Sequence, residues 1–269
     1  MKKTIPNMLT LAVFGALVFT LSSGALAQNK LFAKSRLSNI YAIKPSKTAD
    51  VDSNGVDFLL TKHQADHEDA HYFLELFRWN RLAAINGSPI AQYKLGVMYR
   101  DGLGTSRNYE MAAVWFERSA NQGHEFAQYN LGVMYRDGVG VVQDYDKAMA
   151  WFFLSSEQGN AAAKYNIGTM YHFGKGVKQD HGIAFGWYLR GAEQGDEDSQ
   201  YNLGWMYATG QGVQQDKIAA YMWLDIVAAK GDAQASKLRD AFGKGMTADE
   251  IKQSKELARE CERKNFMDC

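Results

Sequence analysis

Leu131-Gly132-Val133-Met134-Tyr135-Arg136-Asp137-Gly138-Val139-Gly140-Val141 decides the fold, because nearly the same residues stand 36 positions earlier. There the chain reads Leu95-Gly96-Val97-Met98-Tyr99-Arg100-Asp101-Gly102-Leu103-Gly104. The Gly-x-Gly pair returns at Gly174-x-Gly176 and Gly210-x-Gly212, behind Ile167-Gly168 and Leu203-Gly204. Trp79, Trp115, Trp151, Trp187 and Trp223 keep the same spacing, as do Gly87, Gly123, Gly159, Gly195 and Gly231. Most of the 25 glycines therefore sit at four fixed places, so a repeat, and not loop composition, is placing them. No insertion interrupts residues 91–234, which divide into units 91–126, 127–162, 163–198 and 199–234.

Each unit reads as two helices. Ala91, Leu95, Met98 and Tyr99 recur at helical spacing and form one face of the first. Gly96 sits inside that helix, where glycine costs about 1 kcal/mol against alanine. Repetition of the penalty implies a packing reason, a close approach of two helices. The Gly-x-Gly pair ends the first helix with residues that tolerate positive φ. Asn108, Asp144, Asp180 and Asp216 stand where the second helix needs an N-cap. Ala112, Trp115, Phe116 and Ala120 share a face of that helix, and the tryptophan series is expected in the core. Gly123 and its equivalents close it.

The pattern Ala91-x-x-x-Leu95-Gly96-x-x-Tyr99-x-x-Gly102-x-Gly104, followed by Ala112-x-x-Trp115-Phe116 and Gly123, resembles the Sel-one-like repeat family. That family is a branch of the tetratricopeptide-type helical solenoids. The resemblance covers residues 91–234, and 74–242 with degenerate edges. It implies an all-α fold, a right-handed superhelical solenoid of 36-residue helix-turn-helix repeats. Some secreted members carry a Cys pair in every repeat, and this chain departs from them with only 2 Cys.

A solenoid needs caps over its exposed ends. Residues 55–90 read as a degenerate N-terminal capping repeat: Leu59 matches Leu95, but Asp66 and Glu68 fall where glycines should. Residues 28–54 are polar and weakly periodic, as in a flexible leader. At the other end, residues 235–269 read as capping helices. Thr247-Ala248-Asp249-Glu250 is a capping box, and Ile251, Ser254, Ala258 and Cys261 should share one face of a helix over 248–263. Cys261 and Cys269 are expected to pair if the compartment is oxidising.

The first residues point to such a compartment. Lys2 and Lys3 precede an apolar run from Met8 to Leu21, too short for a bilayer span of about 20 residues, and Ala25-Leu26-Ala27 is a cleavage signature. Residues 1–27 thus read as a signal peptide, and the product as periplasmic or secreted, with no stable membrane insertion after cleavage. Its loss leaves 28 basic and 30 acidic residues, a net charge of −2. That balance, with no basic run, argues against a nucleic-acid partner. An apolar fraction of 46% is too rich for a disordered chain.

His67-Glu68-Asp69-Ala70-His71 formally matches H-E-x-x-H, with His63 one turn earlier. Asp69 is a charged residue inside the motif, and no third ligand follows at a familiar spacing. The segment reads as a solvated cap; metal binding by His63, His67 and His71 stays open, and no catalytic residue, metal site or cofactor is assigned. No G-x-S-x-G elbow, S-x-x-K pair or phosphate loop is present.

The resemblance places first helices on a concave wall. Candidate groove residues are then Tyr93, Val97, Arg100 and Asp101 in the first unit and Tyr129, Val133, Arg136 and Asp137 in the second. In the third they are Tyr165, Thr169, His172 and Phe173; in the fourth, Tyr201, Trp205, Ala208 and Thr209. Tyr, Trp and Arg are enriched at interface hot spots. The expected function is an exported, non-catalytic scaffold or adaptor that binds another protein or an extended peptide. The alternative is a cell-envelope enzyme or cell-wall-binding protein, β-lactamase-like or a metal-dependent hydrolase. Mass spectrometry of the exported chain is expected to find Gln28, or its cyclised form, at the N-terminus; a product that keeps residues 1–27 would refute the processing.

Overall fold

The computed structural model describes residues 67–267 and 269, with side chains from His71 onward. The expected signal peptide, the leader, the first part of the degenerate repeat, His63 and the side chain of His67 lie outside the described residues. Within them the chain is all helix: α1 (His67–Ile85), α2 (Pro89–Asp101), α3 (Tyr109–Ala120), α4 (Glu125–Asp137), α5 (Tyr145–Glu157), α6 (Ala161–Phe173), α7 (His181–Ala192), α8 (Glu197–Thr209), α9 (Lys217–Ala229), α10 (Ala233–Gly243) and α11 (Ala248–Arg263). Helices α2–α9 form four helix-turn-helix pairs stacked in chain order, a helical solenoid.

The glycine inside each first helix makes room for a ring. A Cβ on Gly96 would lie 2.6 Å from Phe116 Cδ1, and one on Gly132 would lie 2.7 Å from Phe152 Cδ1. Gly168 meets Tyr188 in the same way, and Gly204 meets Leu224. The expected close approach is thus specific: a side chain of the second helix lies on bare backbone of the first. Phe116, Phe152, Tyr188 and Leu224 are fully buried. The tryptophan beside them is a less uniform core residue than expected. Trp115 and Trp223 are buried, Trp151 and Trp187 are only half-buried, and Trp79 is 67% exposed. One residue decides this: the neighbouring position, at 116 and its equivalents, points at the first helix.

The two glycines of each Gly-x-Gly turn have different tasks. Gly138 adopts φ +70, and its N–H donates to Met134 O at 2.8 Å, ending α4. Gly140 also has positive φ, but its lack of a side chain serves the neighbouring repeat: a Cβ there would lie 2.4 Å from Tyr109 O. The turn so packs onto the start of the preceding second helix. Asp144 N then donates to Tyr135 O at 2.9 Å, and Asp144 Oδ1 caps α5 by accepting from Lys147 N at 3.0 Å. Asn108, Asp180 and Asp216 cap α3, α7 and α9 likewise. First helices have their own capping series, Ser88, His124, Asn160, Asp196 and Asp232.

Polar side chains tie consecutive repeats. Gln128 Nε2 donates to Ala120 O at 3.2 Å, while its Oε1 accepts from Gln158 Nε2 at 2.7 Å. Gln92 and Gln122 repeat the arrangement one unit earlier. Ser119 and Ser155 donate to Pro89 O and Glu125 O. At the C-terminal end, α11 begins with the capping box on Thr247 and Glu250 and buries Ser254, Ala258 and Cys261. A disulfide joins Cys261 to Cys269. It closes a short loop that holds Phe266 against the core around Trp223 and beneath Lys230, whose Nζ lies 5.0 Å from the ring centroid.

The ring-on-glycine contact makes a sign-changing prediction. Gly132→Ala should destabilise the chain by about 1–3 kcal/mol through overpacking. In a Phe152→Ala background the same change should stabilise by about 1 kcal/mol, since only helix propensity then remains. Denaturant unfolding of the four chains tests this; additive effects would show that the ring does not require the glycine.

Candidate interaction surface of the first helices

The geometry of the first helices starts from Tyr129 on α4. Burial pushes its phenol pKa up, Arg136 opposes this, and Asp196 and Asp198 add to it. Those carboxylates belong to α8 and its cap, two repeats further on. Tyr129 therefore lies within electrostatic reach of carboxylates two repeats further along the chain. Tyr165 on α6 feels the same carboxylates; burial first and then Asp198 push its phenol up to about 12.

The tyrosines are half-buried and lean on the second helices. Tyr93 lies 5.9 Å from Phe116 by ring centroids, Tyr129 lies 6.0 Å from Phe152, and Tyr165 lies 5.9 Å from Tyr188. Tyr93 also stacks on His124 at 4.7 Å. Tyr201 packs against the last core cluster with Leu238 and Phe242.

Arg100 and Arg136 are committed to the fold. Arg100 Nε donates to Asp101 Oδ1 at 2.6 Å, and Nη1 donates to Asn130 Oδ1 at 2.7 Å, crossing to the next repeat. Arg136 pairs with Asp137 at 2.7 Å and bonds Asn166 in the same way. Each guanidinium is held charged by its carboxylate neighbour, which outweighs the opposing effect of burial.

Exposure changes along the ladder that begins at Val97. Val97 is 6% exposed, Val133 and Thr169 are half-buried, and Trp205 is 37% exposed. Exposure at this position thus rises from the first unit to the fourth. Phe173, in place of Asp101 and Asp137, is 62% exposed, while Ala208 is buried and Thr209 exposed. His172 lies beside Phe173 and His181, with ring centroids at 4.6 and 4.9 Å.

Two features escaped the sequence reading. Phe126 is 52% exposed on α4, in a series whose other members are Ile90, Ala162 and Asp198. That irregular series was visible, but it lies outside the Tyr–Val–Arg–Asp set. The capping carboxylate of Asp196 is buried enough to push its pKa up, against the hydrogen bonds from Ser199; its series of caps was hidden by its mixed chemistry. His71 is exposed on α1, and no group of three or more metal-ligating side chains occurs among the described residues. None of the described helices is long and apolar enough to cross a membrane.

The sequence pattern of the Sel1 repeat matches residues 89–124, 126–160, 161–196 and 197–232. A crystal structure of a Sel1 repeat protein from Oxalobacter formigenes is 36% identical, with TM-score 0.56 over 61% of this chain and 48% of that chain. The structure of c5321, a protective antigen of uropathogenic Escherichia coli with an SLR fold, is 24% identical, with TM-score 0.47 over 90% of this chain and 63% of that one. The chitin synthase regulator SKT5 of Saccharomyces cerevisiae is 40% identical over 63 residues, 23% of this chain and 9% of that protein. The chain thus spans less than two thirds of the length of each of these relatives.

The buried phenols give an alkaline signature. Tyr165 has its folded pKa raised above 10.0, to about 12, so its contribution is intact below pH 10.0 and is lost as pH climbs towards 12. Tyrosinate absorbance, followed with circular dichroism, should show late-titrating phenol released with unfolding. A Tyr165→Phe chain should lose part of that late signal; an unchanged curve would count against the burial of this ring.

Proposed function

The chain belongs to the Sel1 repeat family, and from that premise we propose that it is an exported scaffold whose inner wall binds an extended segment of another protein. The observation that carries the reading is the gradient of exposure along the first helices, from buried Val97 to Trp205 at 37%. Stacked repeats make elongated concave surfaces suited to such partners. The early arginines are occupied by Asp101, Asp137 and the following asparagines, so they define the wall more than they offer charge to a ligand. Phe126, Phe173 and Trp205 offer large apolar surface instead. Aromatic anchors of this kind dominate interface energies.

Two features support export. Lys2, Lys3, the apolar run to Leu21 and Ala25-Leu26-Ala27 together form a signal sequence. The Cys261–Cys269 disulfide suits an oxidising compartment, the periplasm or the outside of the cell. The role is non-catalytic in this proposal: the rings and paired charges of the inner wall position a partner and supply no nucleophile with an adjacent base.

A photo-crosslinking residue in place of Trp205 should capture a defined partner in the producing cell, while one in place of Leu154, exposed on α5, should not. Trp205→Ala and Phe173→Ala should each weaken binding of the captured partner at least about tenfold, as for anchors worth 2 kcal/mol. Equal capture from both positions, or unchanged affinity in both variants, would overturn the groove.

A further inference from the structure

The third repeat departs from the first two at one joint. Arg100 and Arg136 each bridge their own Asp to an Asn of the next repeat. His172 and Phe173 hold the corresponding places in the third repeat, and Asn202 holds the receiving one. Among the described residues His172 makes no such bridge; its ring turns to His181, at 4.9 Å and 71°. His181 opens α7, where the first two repeats have Tyr109 and Tyr145. Nδ1 of His172 and Nδ1 of His181 are both buried without a hydrogen-bond partner.

This arrangement is sensitive to a proton. Two imidazoles in contact cannot both be charged without repulsion, and a charged ring would bury an N–H that has no acceptor. The groups facing His172 are few. His181 and Tyr188 approach from α7, the latter at 6.1 Å between centroids; Phe173 flanks the ring on α6. From the connecting turn, Gln179 donates to the carbonyl oxygen of His172. The carboxylate at this corner belongs to Asp180, whose N–H donates to Tyr171 O at 3.0 Å and whose Oδ1 caps α7 by accepting from Ile183 N at 2.9 Å, so it is engaged with the start of α7 and does not pair with His172 as Asp101 pairs with Arg100. Burial first, and His181 second, hold the His172 pKa below its ordinary 6.5.

We propose that the His172–His181 contact is a pH-sensitive hinge between α6 and α7, closed while the His172 ring is neutral and opened when it takes up a proton. The sign follows from the depressed pKa: the closed joint is intact above 6.5 and is lost as pH falls below it. Helix α8, which carries Trp205, stacks on α7, so the movement reaches the open end of the inner wall. The hinge does not depend on what that wall binds.

Amide hydrogen exchange on the full chain, corrected for intrinsic rates, tests the hinge at about pH 7.5 and about pH 5, the range in which histidine changes charge. Amides of residues 161–192 should open measurably more at the lower pH, while those of residues 89–120, in the first repeat, should not. A His172→Arg, Phe173→Asp chain restores the pairing of the first two repeats and should lose this response. If that chain fails to fold, His181→Tyr, the residue type of those repeats, gives the same readout. Equal protection of the wild type at both pH values, or an equal response in the folded variant, would overturn the proposal. So would a response abolished by EDTA, which would assign it to a bound metal.

Discussion

A side chain of one helix resting on bare backbone of its partner sets the geometry of every repeat. Phe116, Phe152, Tyr188 and Leu224 occupy the space that a Cβ on Gly96, Gly132, Gly168 or Gly204 would need. The cost is about 1 kcal/mol of helix propensity for each glycine. Full burial of a large apolar side chain contributes about 1.5–3 kcal/mol and exceeds it. The contact brings the two helices of a unit together, and their turn then falls where Gly140 can sit against Tyr109 O of the preceding unit. Spacing within a repeat and stacking between repeats thus depend on the same small residue used at different places. Leu224 shows that the requirement is bulk directed at the glycine, since no aromatic ring is needed there.

The period, the turns and the second-helix caps were legible in the sequence because each needs a particular residue type. Only glycine suits the positive φ of Gly138 and Gly140 together with the close approach to Tyr109, and only a short polar acceptor such as Asp144 caps α5 from an extended conformation. The last helix was legible for the same reason, through Thr247 and Glu250. The core aromatic was harder to assign. Trp151 and Phe152 are adjacent and both apolar, so a helical wheel places both near the core; the direction of the Cα–Cβ bond towards α4 separates them. The groove was least legible. Helical spacing puts Tyr93 and Val97 on the face away from Leu95, but curvature decides whether that face stays open, and curvature accumulates over several repeats.

Polar contacts set the register between the first repeats. Arg100 and Arg136 each join a carboxylate to an asparagine of the next repeat, so consecutive first helices are clamped at the same height. Gln122–Gln92 and Gln158–Gln128 clamp the opposite ends. Both series change in the third unit, where Lys164 replaces the glutamine and His172 the arginine. Net contributions of about 0.5–1.5 kcal/mol for each hydrogen bond are small beside the core. Their effect is directional: they fix how one repeat sits on the next, which burial of apolar area alone leaves loose.

A repeat protein contains its own controls, and this one uses them asymmetrically. The first two units share Leu-Gly-Val-Met-Tyr-Arg-Asp-Gly and make the same contacts with it, so those side chains are accounted for by stacking. Where the later units depart from that series, the replaced residues no longer make the stacking contacts: Phe173 in place of the paired aspartate is 62% exposed, and Trp205 in place of buried Val97 is 37% exposed. Large apolar side chains left in water reduce solubility and invite association. Stacking does not account for these two side chains, beside a joint that lacks the arginine bridge, and the proposed partner surface would give them a role.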